Sequence, residues 1–240
     1  MTTLSLRGLR GGVGTSSLLS ATGQALHSLG ERVLLVDMCP ENLLRLYFNV
    51  GVNESAGWAR AMVDGQDWNT QAWTVVPGLS LLPYGRLKWA EQEQVEQRLR
   101  QEPELWRRRQ AALAAQFDWI LFDVPPRLPG YARVGSSDMR LLIVEADAAC
   151  HVLLQQQESD DEQLLINRYD PASQLQRDLQ LIWRKQFGER LLALNIHQDE
   201  AMREALAFKK TVGAYAEASL AAQDVLSLAI WCLTRRQETL

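Results

Sequence analysis

Residues 4–29 open with Leu4-Ser-Leu-Arg-Gly-Leu9. They continue with Arg10-Gly11-Gly12-Val13-Gly14-Thr15-Ser16-Ser17 and end in a helical stretch that reaches Leu29. A short apolar strand therefore runs into a glycine-rich turn, and the turn opens directly into a helix. A loop in that position turns several backbone N–H groups inward and adds the positive end of the helix dipole. Both favour a di- or triphosphate. Glycine is needed because side chains would block the phosphate and because some positions require positive φ. The hydroxyls of Ser16 and Ser17 stand in the first helical turn, where a Mg²⁺ ligand and a phosphate donor belong. A tight turn that merely caps a helix is the competing reading. The placement after the first strand, the hydroxyl pair and the strand-end carboxylates farther along favour phosphate.

Outward from this turn the same alternation recurs. Apolar runs at Leu4–Leu9, Arg32–Asp37, Leu79–Pro83, Trp119–Asp123, Arg140–Glu145, Gln163–Asn167 and Leu191–Ile196 read as strands. Helical patterns cover Ser16–Leu29, Glu91–Phe117, Ser173–Phe187, Glu200–Phe208 and Ser219–Leu233. This is the signature of an α/β fold, a mainly parallel sheet flanked by helices on both faces. No repeat or low-complexity linker interrupts it, so residues 1–240 read as a single domain. The 240 residues carry 25 Lys+Arg against 29 Asp+Glu, a net charge of −4, and 47% are hydrophobic. That balance suits an ordinary globular chain and argues against a nucleic-acid coat held by positive charge. No apolar run approaches the roughly 20 residues of a membrane-spanning helix. Arginine and glycine stand where a signal peptide would carry its apolar core. Cys39, Cys150 and Cys232 are odd in number and lack metal spacing, which fits a reduced cytosolic interior.

Two further strands end in acids. Arg32-Val-Leu-Leu-Val-Asp37 is followed by Met38-Cys39-Pro40-Glu41, and Trp119-Ile-Leu-Phe-Asp123 by Val-Pro125-Pro126. Downstream of a phosphate loop, Asp123 is expected to hold Mg²⁺ directly or through water, with Asp37 beside it and Ser16 as the hydroxyl ligand. Asn167 and Arg168 lie at the carboxyl end of a later strand, where open α/β sheets bind ligands. Cys39 is expected to be an inert thiol rather than a nucleophile, since no histidine is spaced to activate it.

The turn resembles the deviant Walker A loop, Lys-Gly-Gly-x-x-Gly-Lys-[Ser/Thr]-[Ser/Thr], of the MinD/ParA family of dimerising ATPases. The resemblance implies a MinD/ParA-like P-loop NTPase fold, an ATP ligand with Mg²⁺, and a nucleotide-sandwich homodimer. It places Arg10, Gly11, Gly12, Val13, Gly14, Thr15, Ser16 and Ser17 around the phosphates. It also puts Asn167 on the adenine edge with Arg168 beside the ring, and His197 with Asp199 near the base. The chain departs from the pattern at three positions. The signature lysine that reaches the partner's phosphates is Arg10, which keeps the charge and offers a bidentate fork. The P-loop lysine is Thr15, a loss on the order of 1.5–3 kcal/mol, or roughly tenfold to hundredfold in affinity. The second aspartate of Asp-x-Asp-Pro, which polarises the attacking water, is Cys39. General-base help is commonly worth ~10²–10⁴ in rate, so hydrolysis is expected to be weak or absent.

Longer stretches resemble the MinD/ParA-like proteins of bacterial cellulose-synthesis operons. They include Asp37-Met-Cys39-Pro-Glu-Asn-Leu-Leu-Arg-Leu46, Gly57-Trp-Ala-Arg-Ala-Met62 and Asp64-Gly-Gln-Asp-Trp68. Asp199-Glu-Ala-Met202 and Val212-Gly-Ala-Tyr215 continue the match, which is weakest over residues 86–117 and 127–138. This resemblance implies a regulatory or assembly subunit of cellulose secretion, cytoplasmic and peripheral at the inner membrane. It would work with a short partner, BcsR, and with BcsE and the synthase BcsA. The terminal segment Thr234–Leu240 is too short and polar to lie on lipid, so membrane contact is expected only through partners. A cycling ATPase that positions cargo on membrane or nucleoid is the alternative. An iron–sulfur carrier of the same fold needs two cysteines at the dimer interface, and Cys39 and Cys150 do not occupy those positions. Trp58, Trp68 and Trp73 are candidates for an aromatic partner surface. Arg107-Arg108-Arg109 reads as a solvated helix face.

Overall fold

The computed structural model describes residues 1–127, 137–157 and 161–239. Most of the weakly matching segment 127–138 lies outside these. One eight-stranded sheet runs through the described residues. Its strands are β1 (Thr2–Gly8), β2 (Val33–Asp37), β3 (Trp73–Val76), β4 (Leu79–Leu82), β5 (Trp119–Val124), β6 (Met139–Glu145), β7 (Gln163–Tyr169) and β8 (Leu191–His197). The order is β3-β4-β2-β5-β1-β6-β7-β8, parallel except for β3 against β4. All seven strands expected from the sequence are present.

The central strands are continuous apolar runs because both their faces are covered. In β2, Val33 and Leu35 enter one apolar cluster while Leu34 and Val36 enter another on the opposite face. In β5, Trp119 and Leu121 join the first cluster, and Ile120 and Phe122 the second. Helices α1 (Thr15–Ser28) and α9 (Leu220–Thr239) pack on the first side, with α5 (Ala148–Gln155) and α6 (Gln174–Phe187) contributing Cys150 and Trp183. Helices α2 (Trp58–Asp64), α3 (Trp89–Gln101) and α4 (Leu105–Leu113) cover the second side. Helices α7 (Glu200–Ala207) and α8 (Val212–Tyr215) complete the α-helices among the described residues. The register sets Asp37 opposite Asp123 and Glu145 opposite Asn167, so the strand ends that carry chemistry emerge along one edge.

Several expectations are corrected. The pattern Glu91–Phe117 is two helices, broken at Glu102-Pro103-Glu104, because proline biases its predecessor away from helical dihedrals and supplies no N–H. Strand β3 escaped notice because it is a short, largely exposed edge strand without a buried face. The three tryptophans form no common surface. Trp58 is fully buried, Trp68 packs on Trp106, and only Trp73 is exposed. Nor is the arginine triplet uniformly solvated. Arg109 is 9% exposed, with its guanidinium 4.7 Å, 4.9 Å and 5.7 Å from the ring centroids of Trp68, Trp106 and Trp58. Three ring faces thus answer a cation that burial would otherwise penalise.

Candidate nucleotide-binding site

The turn after β1 is shaped by close approach. Gly14 has φ +90°, and a Cβ there would fall 2.5 Å from Nδ2 of Asn167. That amide donates to the Val13 carbonyl at 2.7 Å, so β7 holds the turn in place from below. Helix α1 starts at Thr15 with no side-chain cap, which leaves first-turn N–H groups for whatever occupies the turn. Ser17 is already engaged with the Tyr47 hydroxyl at 2.6 Å.

Arg10 is clamped within its own chain. Its Nη2 donates to Glu145 at 2.6 Å and to Asp147 at 2.7 Å, and the Asp147 bond raises its proton affinity further. Arg168, in the left-handed region at φ 54°, donates to the other Glu145 oxygen. Glu145 therefore bridges two arginines expected to face nucleotide.

The carboxyl ends of β2 and β5 bring Asp37, Cys39 and Asp123 together, one donor atom of each within 4.8 Å of the others. The loop after β2 is pinned by the buried Arg45, which donates to the carbonyls of Asn42, Val52 and Glu54. Asp37 accepts from the backbone N–H of Cys39 at 2.9 Å and of Leu44 at 3.1 Å. Asp123 is 1% exposed, and both its carboxylate oxygens lack a hydrogen-bond partner. Burial raises its pKa to about 6; Ser16 and Cys39 lie near and oppose the rise without completing a hydrogen bond. Burial, then the neighbouring Asp123 charge, pushes Asp37 well above the usual carboxylate range. The same two influences push the Cys39 thiol up, so it is protonated at neutral pH and poorly nucleophilic. An orphaned buried carboxylate among further oxygen donors suits a hard divalent cation, with Asp123, Asp37 and Ser16 to hold it.

Asn167, Arg168, His197 and Asp199 share a small cleft of about 40 Å³ with Gly14, Ser17, Gln198, Met202 and Arg203. His197 is fixed there: its N–H and Nδ1 meet Asp224 at 2.8 and 2.9 Å, and its ring stands edge-on to Tyr169. Asp199 commits both oxygens to backbone amides, those of Ala201 at 2.9 Å and Ala221 at 3.1 Å. It ties α7 to α9 at the rim of the cleft. A larger cavity of about 540 Å³ opens beside the turn, bounded by Gly11, Pro40, Glu41, Trp89, Pro125, Pro126 and Arg127 among others. Sequence reading missed Glu145 and Asp147, although acids at the end of β6 carry the same signal as Asp37 and Asp123. Tyr47 and Asp224 carry no sequence signal; only packing brings them to the site.

The strand order and flanking helices are those of the MinD/ParA-type P-loop NTPase fold. The chain superposes on MinD from Pyrococcus horikoshii complexed with Mg-ADP at TM-score 0.72 and 20% identity, over 95% of this chain and 94% of that one. A ParA family ATPase from Chlorobium tepidum gives 0.71 at 21%, covering 95% and 98%. Cobyrinic acid a,c-diamide synthase from Mycobacterium smegmatis, with a bound ATP analog and magnesium, gives 0.77 at 21%, covering 97% and 94%. Within that class the chain belongs to the Cellulose biosynthesis protein BcsQ family, which matches residues 1–233. It is 42% identical to BcsQ of Escherichia coli K12 and 44% identical to BcsQ of Salmonella typhimurium, each over 97% of this chain and 94% of the relative. Among the described residues no helix is long and apolar enough to cross a membrane.

Proposed function

We propose that this chain is an ATP-binding regulatory or assembly subunit of the bacterial cellulose synthesis and secretion system, acting as a nucleotide-sandwich homodimer with weak or absent hydrolysis. The observation that carries the nucleotide reading is Asp123, a buried carboxylate with neither oxygen satisfied, beside the uncapped start of α1. The fold neighbours complexed with Mg-ADP and with an ATP analog and magnesium support the same ligand. Magnesium bound at Asp123, Asp37 and Ser16 would neutralise phosphate charge. The chain's own residues do the rest. Gly11–Ser17 wrap the phosphates with backbone N–H groups, and Asn167 sets the height of the turn through Val13. The base then lies toward Arg168, His197 and the Asp199 rim.

Weak hydrolysis follows from Cys39. The protonated thiol cannot accept a proton from water as a carboxylate would, which removes roughly 10²–10⁴ in rate. The homodimer reading rests on the family resemblance of Arg10, which would have to leave Glu145 and Asp147 to reach a partner's phosphates. Recruitment to the inner membrane is through partners, for which BcsR, BcsE and BcsA are the candidates. Calorimetry and native mass spectrometry with Mg²⁺–ATP test this: one nucleotide per chain and a two-chain mass are expected. No uptake of any adenine or guanine nucleotide by folded protein would overturn it. Turnover at the rate of an activated cycling ATPase, or no gain from Thr15→Lys with Cys39→Asp, would overturn the hydrolysis argument.

A further inference from the structure

We propose that Asp37, Cys39 and Asp123 form a binding site for a thiophilic divalent cation, Zn²⁺ being the clearest case, which competes with Mg²⁺ for the same strand ends. This rests on reading Asp37 and Asp123 as the metal end of the nucleotide site. Magnesium takes hard oxygen donors and gains nothing from sulfur. Zinc takes sulfur at about 2.3 Å and carboxylate oxygen at about 2.0–2.2 Å in a tetrahedron, which sets neighbouring donors roughly 3.5 Å apart. The three donor atoms already lie within 4.8 Å of one another, so about 1 Å of side-chain movement closes the set. The donors are free to make it. Neither Asp123 oxygen completes a hydrogen bond, Ser16 and Cys39 only approaching the carboxylate, and Cys39 Sγ donates to the Asp123 carbonyl at a long 3.6 Å. Asp37 is oriented by two backbone amides that leave lone pairs on each oxygen. Its backbone is held in turn by Trp58, whose Nε1 donates to the Asp37 carbonyl at 2.7 Å.

The second independent mark of a ligand is Asp123 itself, 99% buried by its 1% exposure and unpartnered on both oxygens. A cluster of three carboxylates would choose by size and charge alone. Replacing one by a thiol moves the preference from hard toward soft ions, since sulfur donors select zinc over magnesium. Binding forms a metal–sulfur bond and releases the thiol proton to solvent, with no change of oxidation state. A fourth position remains for water, the Ser16 hydroxyl or a phosphate oxygen.

The experiment titrates the reduced, tag-free full chain with Co²⁺ in the absence of nucleotide. A near-ultraviolet thiolate-to-cobalt charge-transfer band is expected to saturate at one ion per chain and to vanish on adding Zn²⁺. Cys39→Ser should lose the band and weaken Zn²⁺ by at least about tenfold in calorimetry. Cys39→Asp should lose the band while shifting preference toward Mg²⁺; Cys150→Ala and Cys232→Ala should keep it. No band in the wild type, or a band that survives Cys39→Ser, overturns the proposal. The nucleotide reading fails separately. If folded protein shows the Cys39-dependent band but takes up no ATP, the soft-metal site stands and the ATP site does not.

Discussion

Two charged side chains are buried a few residues from a common wall, and the protein treats them in opposite ways. Arg109 lies in a cage of Trp58, Trp68 and Trp106, and its pKa is lowered by burial to about 10. Asp123 lies across β5 from that cage: Phe122, its neighbour in sequence, packs edge-on against Trp106 at 5.6 Å on the opposite face of the strand. Trp58 touches both regions, through its ring to Arg109 and through its Nε1 to the Asp37 carbonyl. The guanidinium leaves its Nη1 without a hydrogen-bond partner but is faced from inside the fold by three rings. Among the described residues the carboxylate completes no hydrogen bond, Ser16 and Cys39 only lying near it. A buried carboxylate with neither oxygen bonded is the stronger candidate for a ligand, and the contrast between the two is open to test.

The largest test of that contrast is Trp58→Ala, which removes the shared wall. A fully buried indole truncated to methyl costs about 3–5 kcal/mol. Urea denaturation should show that loss together with weakened Mg²⁺–ATP binding, since the Asp37 strand end loses its tether. Unchanged Mg²⁺–ATP affinity beside that loss would mean that the cage and the site are independent.

Next is Asp123→Asn, which should stabilise the ligand-free protein. The acid's pKa is raised by burial from 3.8 to about 6, so the folded state holds the proton more tightly than the unfolded chain. The Asp123 contribution to wild-type stability should therefore fall as pH rises from about 4 through 6. The asparagine variant escapes that fall. Its advantage at pH 8 is roughly 2–3 kcal/mol and disappears toward pH 4. With Mg²⁺ and ATP the order should reverse, because the wild type then gains a ligand that the variant cannot hold. Equal stabilities at pH 8 would mean the carboxylate is already satisfied without a cation.

The complementary change is Arg109→Met. It keeps the apolar stem and deletes the buried charge, so stability should stay within about 1 kcal/mol or rise, whereas Arg109→Ala should lose more by emptying the cage. A loss beyond about 2 kcal/mol for methionine would show that the ring faces bind the cation strongly rather than merely tolerating it.

The same contrast explains what could be read from the chain and what could not. The seven parallel strands were legible as apolar runs, continuous in β2 and β5 because both their faces are buried. The turn at Arg10–Ser17 and the acids Asp37 and Asp123 were legible because they sit at strand ends, where position alone carries meaning. Strand β3 was not, since an exposed edge strand has no apolar face to advertise it. The cage was illegible for another reason. Trp58, Trp68 and Arg109 are far apart in sequence and meet only when α2 and α4 lie side by side, so an arginine triplet looked solvated and a tryptophan cluster looked like a surface. The Tyr47–Ser17 and His197–Asp224 contacts belong to the same class, visible only once the sheet order is known.

The smallest stability effect, and the sharpest one for assembly, belongs to Arg10. Unlike Arg109 it is part exposed, and unlike Asp123 it is ion-paired, its Nη2 to Glu145 and Asp147, although its Nε has no hydrogen-bond partner. Half-solvated ion pairs of this kind contribute about 0–1 kcal/mol, so Arg10→Ala should barely move the unfolding midpoint. Its effect should appear only where the cation has a second destination. If the guanidinium exchanges these carboxylates for a partner's phosphates, Arg10→Ala lowers the two-chain fraction with Mg²⁺–ATP. Glu145→Gln with Asp147→Asn should raise that fraction by loosening the clamp. Opposite movements of the two variants in native mass spectra are the expected result. If both leave the distribution unchanged, Arg10 is a static brace for β6 and its charge serves the fold rather than a partner.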